Sequence, residues 1–325
     1  MKLVFRKSFN MKKIVTFTAL SILLILSLFI SSAILIGYKV TNPMIKDIDK
    51  APTDYGLEFE EIKIYNVMDN LTLSGWWIPT KNTPILQNEK AVIFAHGYGY
   101  NRTKMPFDSL ELAKRLSNEG YHVLMFDFRN SGLSERSPTT IGYKEKTDLL
   151  SAINYTSYEK GVKNIALMGW SMGASTSILA GIESEEVKAV IADSAFADLG
   201  AYTKESFSYW TGLPEFLAVG FTKIAEYLFP EFKISEVKPI AVADDYPPGK
   251  GLFLIHSKKD GAIPYSQSQL LHESSQNSEL WMPPKGGHIR SYKHFKEEYE
   301  EKVLMFLDNY FLRENIVDRP FYLIS

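Results

Sequence analysis

Apolar and polar positions along this chain follow two rhythms, and the switches between them predict its elements. Residues 59–66 and 71–80 read as paired strands around Met68-Asp69-Asn70, a hairpin signal, and residues 81–89 as a polar loop. Ala91-Val92-Ile93-Phe94-Ala95 is a continuous apolar run, as a strand covered on both faces requires. Apolar residues then recur at helical spacing through Phe107, Leu110, Ala113 and Leu116 until Gly120 ends the pattern. Residues 122–128 predict a strand, Leu149, Leu150 and Ile153 a helix, and residues 165–168 a further strand. Residues 187–192 and 252–255 continue the series, and Phe295, Tyr299, Val303, Phe306 and Tyr310 stripe a last helix. Short buried strands separated by helices predict an α/β class, with a mostly parallel central sheet flanked by helices.

Two stretches break the alternation. Between Ala195 and Gly249 the chain is rich in aromatics, and Leu217, Phe221, Ile224 and Leu228 keep helical spacing, so this segment predicts a small helical insertion. At the N-terminus an uncharged stretch from 14 to 38 exceeds the ~20 apolar residues needed to cross a bilayer. Lys2, Arg6, Lys7, Lys12 and Lys13 precede it, which favours a cytoplasmic N-terminus and a catalytic domain outside the cytoplasm. Ser31-Ser32-Ala33 leaves open a cleaved signal sequence, and Met11 an alternative start that would weaken the charge argument. The expected layout is residues 1–38 as cytoplasmic N-terminus and transmembrane anchor, 39–58 as linker, and 59–325 as one domain. The helical lid is expected at about 197–248.

Composition narrows the chemistry. Lysine and arginine number 36 against 38 acidic residues, with no basic run beyond the N-terminus, so nucleic acid is not an expected partner. The chain has no cysteine, which excludes disulfides, thiolate metal sites and thiol nucleophiles. No zinc, calcium or phosphate-binding motif occurs, and neither metal nor cofactor is expected. His122, His256, His272 and His294 lack ligand spacing and read as structural or surface residues.

The remaining chemistry converges on Gly169-Trp170-Ser171-Met172-Gly173. A serine on a sharp strand-to-helix turn adopts a strained backbone, and flanking glycines let the two chains approach. Such a serine needs a base, an orienting acid and oxyanion donors. Asp260 follows the strand ending at Ile255, and His288 follows Gly286-Gly287 after the strand-like 280–282, in the chain order Ser, Asp, His. Asp193, also just past a strand, is an alternative acid. The backbone amides of Tyr98 and Met172 are the expected oxyanion donors. Asp127, Arg129 and His96 read as loop-fixing residues, while Trp281 and Tyr265 flank the site loops.

Phe94-Ala95-His96-Gly97, Asp127 to Ser134, Gly169 to Gly173, Asp260 to Pro264 and Gly287-His288 occur in this order. Together they resemble the α/β-hydrolase superfamily over about residues 59–312. The nearest likeness is to membrane-anchored bacterial members of the serine aminopeptidase/monoglyceride-lipase-like and dienelactone-hydrolase-like groups. The resemblance implies a lid after the sixth strand and hydrolysis of an ester, thioester or amide through an acyl-enzyme. A carboxylesterase is expected, with a small-molecule ester or acyl substrate. Acyl-thioesterase, serine aminopeptidase (with Glu205, Glu215, Glu226 or Glu231 holding an amine) and a non-catalytic membrane-tethered binding module remain alternatives.

Overall fold

The computed structural model describes residues 11–81, 89–247 and 249–317. Lys2, Arg6 and Lys7, most of the polar loop and the C-terminal tail lie outside the described residues. The sheet comprises β1 (Glu60–Asn66), β2 (Leu71–Ile78), β3 (Lys90–Ala95), β4 (Tyr121–Phe126), β5 (Asn164–Trp170), β6 (Val187–Asp193), β7 (Gly251–Ile255) and β8 (Ser278–Trp281). Its spatial order is β1-β2-β4-β3-β5-β6-β7-β8; β2 pairs antiparallel with both β1 and β4, and β4, β3, β5, β6, β7 and β8 run parallel.

Alternation along each strand feeds two cores. Ile93, Leu167, Val190 and Leu254 face one side, where α3 (Glu145–Asn154), α4 (Met172–Glu183) and α8 (Ser266–Glu273) pack. Phe94, Met168, Ile191 and Phe253 face the other, under α2 (Ser109–Asn118) and α10 (Lys296–Val317). This is why the strand sequences read as unbroken apolar runs. Near the carboxyl ends Ala95 pairs with Gly169, Trp170 with Asp193, Asp193 with Ile255, and Ile255 with Trp281. That register delivers the loops after β3, β5, β6, β7 and β8 to one edge, where open parallel sheets bind ligands.

Between β6 and β7 run α5 (Leu199–Glu205), α6 (Phe207–Thr211) and α7 (Ala218–Leu228), which build their own apolar clusters over that edge. The N-terminal apolar segment is one helix, α1 (Met11–Thr41), so it continues past position 38. Its first turns are exposed, whereas Ala33, Gly37 and Thr41 are buried against the insertion and the site loops. Residues 42–58 lie on the body rather than hanging free. The Lys50 ammonium sits 2.8 Å from Asp108, and Asn101 Nδ2 donates to the Lys46 carbonyl at 2.7 Å. A short helix α9 (Ser291–His294) leads from the β8 loop into α10.

Candidate active site

The turn from β5 into α4 holds Ser171 at φ 55° and ψ −119°, a region that side-chain-bearing residues rarely occupy. Its glycine neighbours explain how the turn closes. A Cβ on Gly169 would lie 2.3 Å from the Gly173 carbonyl oxygen, and one on Gly173 would lie 2.0 Å from that of Ala95. Only bare backbone lets β3, β5 and the start of α4 meet so closely. The Ser171 amide donates to the Asp193 carbonyl at 2.8 Å, tying the turn to β6. Trp170 is buried beneath it, its indole N–H donating to the Tyr299 hydroxyl at 3.2 Å.

Asp260 and His288 reach the same point from β7 and β8. The Ser171 hydroxyl donates to His288 Nε2 at 2.9 Å, and His288 Nδ1 donates to Asp260 Oδ2 at 2.8 Å. Gly286 and Gly287 take φ of 134° and 75°, which turns the loop tightly enough to aim the imidazole inward. Asp260 Oδ1 accepts the amides of Ala262 and Ile263, both at 2.9 Å. Burial alone would raise the Asp260 pKa, but hydrogen bonds from His256 and His288, and the charges those rings carry when protonated, hold the carboxyl well below the usual range. It stays ionised wherever the imidazole can act as a base. His256, which the sequence leaves as a structural or surface residue, is buried; it donates from Nε2 to the Ile263 carbonyl at 2.9 Å and lies 3.3 Å from Asp260 Oδ2. Ser268 fixes the other ring nitrogen at 2.7 Å, so His256 holds the Asp260 carboxyl group in place.

Asp193 does not reach the imidazole by a hydrogen bond. It accepts from the Tyr299 hydroxyl at 3.1 Å and the Ser194 hydroxyl at 2.9 Å, and burial pushes its pKa up to about 6. His96 donates from Nδ1 to the Gly97 carbonyl at 2.8 Å and accepts the Phe128 amide at 3.0 Å, pinning the β3 loop to the β4 loop. Burial lowers its pKa, which keeps it neutral. Asp127 and Arg129 pair with different partners, Arg102 and Asp148, each at 2.8 Å, and both brace loops. Met172 opens α4, so its amide has no intrahelical acceptor and is free to hold an anion. Tyr98 lies opposite on the β3 loop, and both residues line the cavity that contains Ser171 and His288.

That cavity measures about 480 Å³ and is walled by the insertion (Phe207, Trp210, Phe221) and by α1 (Ala33, Ile36, Val40). Among the described residues no aspartate or glutamate lines it. Glu231 pairs with Lys144 at 2.7 Å and Glu226 accepts the Ser235 amide at 3.0 Å. Glu205 meets Gln267 at 3.3 Å, and Glu215 is exposed. Tyr265 is partly exposed, and Trp281 packs edge-on against Phe295 and Tyr299; neither lines the cavity. The contribution of α1 was not read from the sequence. The nearest signal is a run of small residues four apart, Ala33, Gly37 and Thr41, which includes the helix's one glycine.

A family model described as alpha/beta hydrolase fold matches residues 90–218. The Pyrococcus furiosus esterase Pf2001 superposes with a TM-score of 0.69 at 31% identity, over 83% of this chain and 98% of its own. The uncharacterized protein YqkD of Bacillus subtilis is 28% identical over 309 residues, 89% of this chain and 97% of YqkD. The acylaminoacyl peptidase of Pyrococcus horikoshii shares the fold at 18% identity and a TM-score of 0.58, over 81% of this chain and 43% of the peptidase.

Proposed function

Because the chain belongs to the α/β-hydrolase family, we propose that it is a serine hydrolase that cleaves carboxylic esters and is held to the cell membrane by α1. Ser171 Oγ attacks the acyl carbon while His288 Nε2 takes its proton, a transfer of the kind typically worth about 10²–10⁴ in rate. Asp260 holds the imidazole in the tautomer that accepts at Nε2 and stabilises its charged form. The amides of Tyr98 and Met172 receive the negative charge that develops on the carbonyl oxygen, each such donor being worth roughly 3 kcal/mol in the transition state. The tetrahedral intermediate collapses, His288 returns the proton to the departing alcohol, and Ser171 is left acylated. Water, deprotonated by the same imidazole, releases the acid and restores the serine.

The observation that carries this reading is the unbroken hydrogen-bond line from Ser171 through His288 to Asp260. An apolar cavity free of acidic groups among its described lining residues favours an acyl ester over a substrate with a free amine. The likeness to an esterase over nearly its whole length points the same way. Burial of Ala33, Gly37 and Thr41 supports a helix that stays attached rather than one cleaved after Ala33. We place the catalytic domain outside the cytoplasm, and protease added to intact cells should remove it. A panel of p-nitrophenyl esters, acyl thioesters and aminoacyl anilides tests the bond cleaved. The ester should be hydrolysed fastest, with activity lost in Ser171→Ala. Preference for the thioester or anilide would reassign the reaction, and equal turnover by Ser171→Ala would remove the serine mechanism.

A further inference from the structure

The cavity above Ser171 is closed in part by a helix long and apolar enough to cross a bilayer. Resting on the serine-hydrolase reading, we infer that the last three turns of α1 form a wall of an acyl pocket filled sideways from the membrane. The substrate is then a single-chain acyl ester amphiphile.

Several independent features place those turns in the catalytic domain. Phe29 packs edge-on against Phe221 of α7 with ring centroids 4.6 Å apart, and Ala33 is buried among Phe207, Ala218 and Phe221. A Cβ on Gly37 would fall 2.5 Å from the Phe229 ring, so helix and insertion touch along a continuous seam. The carbonyls that a helix leaves open at its end are met by the site loops themselves. The Tyr98 hydroxyl donates to the Val40 carbonyl at 2.9 Å, and the Thr139 amide to that of Thr41 at 2.8 Å. The residue proposed to hold the oxyanion through its amide therefore grips α1 through its side chain.

Length sets the depth. At 1.5 Å per residue, the 20 residues after Lys13 (14–33) span about 30 Å, the hydrocarbon thickness of a bilayer, so its edge falls at the turn that carries Ala33 and roughly 12 Å of helix lies beyond it. The insertion exposes large aromatics as well. Trp210, Phe216 and Tyr227 are 59%, 81% and 83% exposed, interspersed with the exposed charges of Lys204, Glu215 and Lys223, and Gly220 of α7 abuts Phe29, inside the end of that 30 Å stretch. Aromatics at this height match the belt that seats proteins at a membrane surface. Exposed aromatics beside an exposed apolar helix are explained by lipid. The cavity, about 480 Å³, lies at the small end of the ~300–1,000 Å³ range of small-molecule sites, which suits one chain rather than two. A chain passing Ala33, Ile36 and Val40 exchanges one apolar medium for another, and Lys39 and Lys46, which also line the cavity, are left for the polar end of an amphiphile.

The full-length protein in phosphatidylcholine vesicles gives the test, using a long-chain alkyl fluorophosphonate with a diazirine at the chain end. After reaction at Ser171 and photolysis, the proposal predicts adducts on the tryptic peptide 14–39. Phosphonylation of Ser171 with every photoadduct in the insertion or body overturns the α1 wall while leaving the hydrolase intact. No phosphonylation of Ser171 overturns the underlying reading and this proposal with it. A second measurement addresses the source of the chain. p-Nitrophenyl palmitate carried in the same vesicles as the enzyme should be hydrolysed at least tenfold faster than the same amount in separate vesicles. Ala33→Trp should lower the palmitate-to-butyrate ratio of kcat/KM by a comparable factor. Equal rates from both vesicle populations, or an unchanged ratio in Ala33→Trp, contradict delivery from the membrane.

Discussion

Replacing Asp260 with asparagine tests the site where its hydrogen bonds leave the least freedom. Oδ1 accepts two fixed backbone amides at 2.9 Å, and Oδ2 faces His288 Nδ1 at 2.8 Å. In Asp260→Asn the carbonyl oxygen is required by the Ala262 and Ile263 amides, so the NH₂ group turns toward His288. The imidazole then accepts at Nδ1 and carries its proton on Nε2, pointing at Ser171, where it cannot receive the serine proton. The same change in another serine–histidine–aspartate enzyme lowers turnover by about 10⁴, which is the magnitude expected here. At about 1.36 kcal/mol per decade, that is roughly 5 kcal/mol of lost transition-state stabilisation. The assay is kcat on p-nitrophenyl butyrate, with thermal melting to confirm that the variant folds. A folded Asp260→Asn protein that loses less than about tenfold would refute the reasoning, because it would mean that His288 is oriented by something other than Asp260.

Other consequences follow from the packing and charge of the site. Gly173→Ala would place a methyl group 2.0 Å from the Ala95 oxygen; a loss of about 2–3 kcal/mol in urea unfolding is expected, and unchanged stability would show that the turn relaxes freely. Asp193, pushed up to about 6 by burial, holds its proton more tightly when folded than at the unfolded value of about 3.9. Its contribution to stability is therefore complete below about pH 4 and lost as the pH rises through about 6. Asp193→Asn should gain on the wild type by on the order of 2–3 kcal/mol between pH 4 and pH 8 in paired urea titrations, and a pH-independent difference would contradict the assignment. Arg129→Met leaves Asp148 buried without its cation; a loss of about 3–5 kcal/mol is expected in the same assay, and a loss below about 1 kcal/mol would mean that Asp148 is neutral or hydrated.

How far the sequence could be read depended on whether a feature was local. The runs 91–95, 165–168 and 252–255 are strands because residues covered on both faces are apolar without a break. Gly169 to Gly173 announces its turn because two glycines and a serine at fixed offsets have few other uses. Contacts made across the fold left no such trace. Arg102 and Asp127 stand 25 positions apart and form a buried pair, while the sequence offered Asp127 and Arg129 as one motif. His256 had no ligand spacing, yet the β7 loop folds it back to within 3.3 Å of Asp260. The wall built by α1 was hidden by that helix's own hydrophobicity, since lipid and protein select the same apolar residues. Gly37, the helix's one glycine, marks the turns that approach the insertion.

The most direct measurement is intact-mass analysis of the full-length protein after treatment with a fluorophosphonate, followed by mapping of the modified peptide. The account predicts one adduct per chain, on Ser171, absent from Ser171→Ala and formed far more slowly in variants of His288. An adduct at another residue, or labelling of Ser171→Ala equal to that of the wild type, would contradict it.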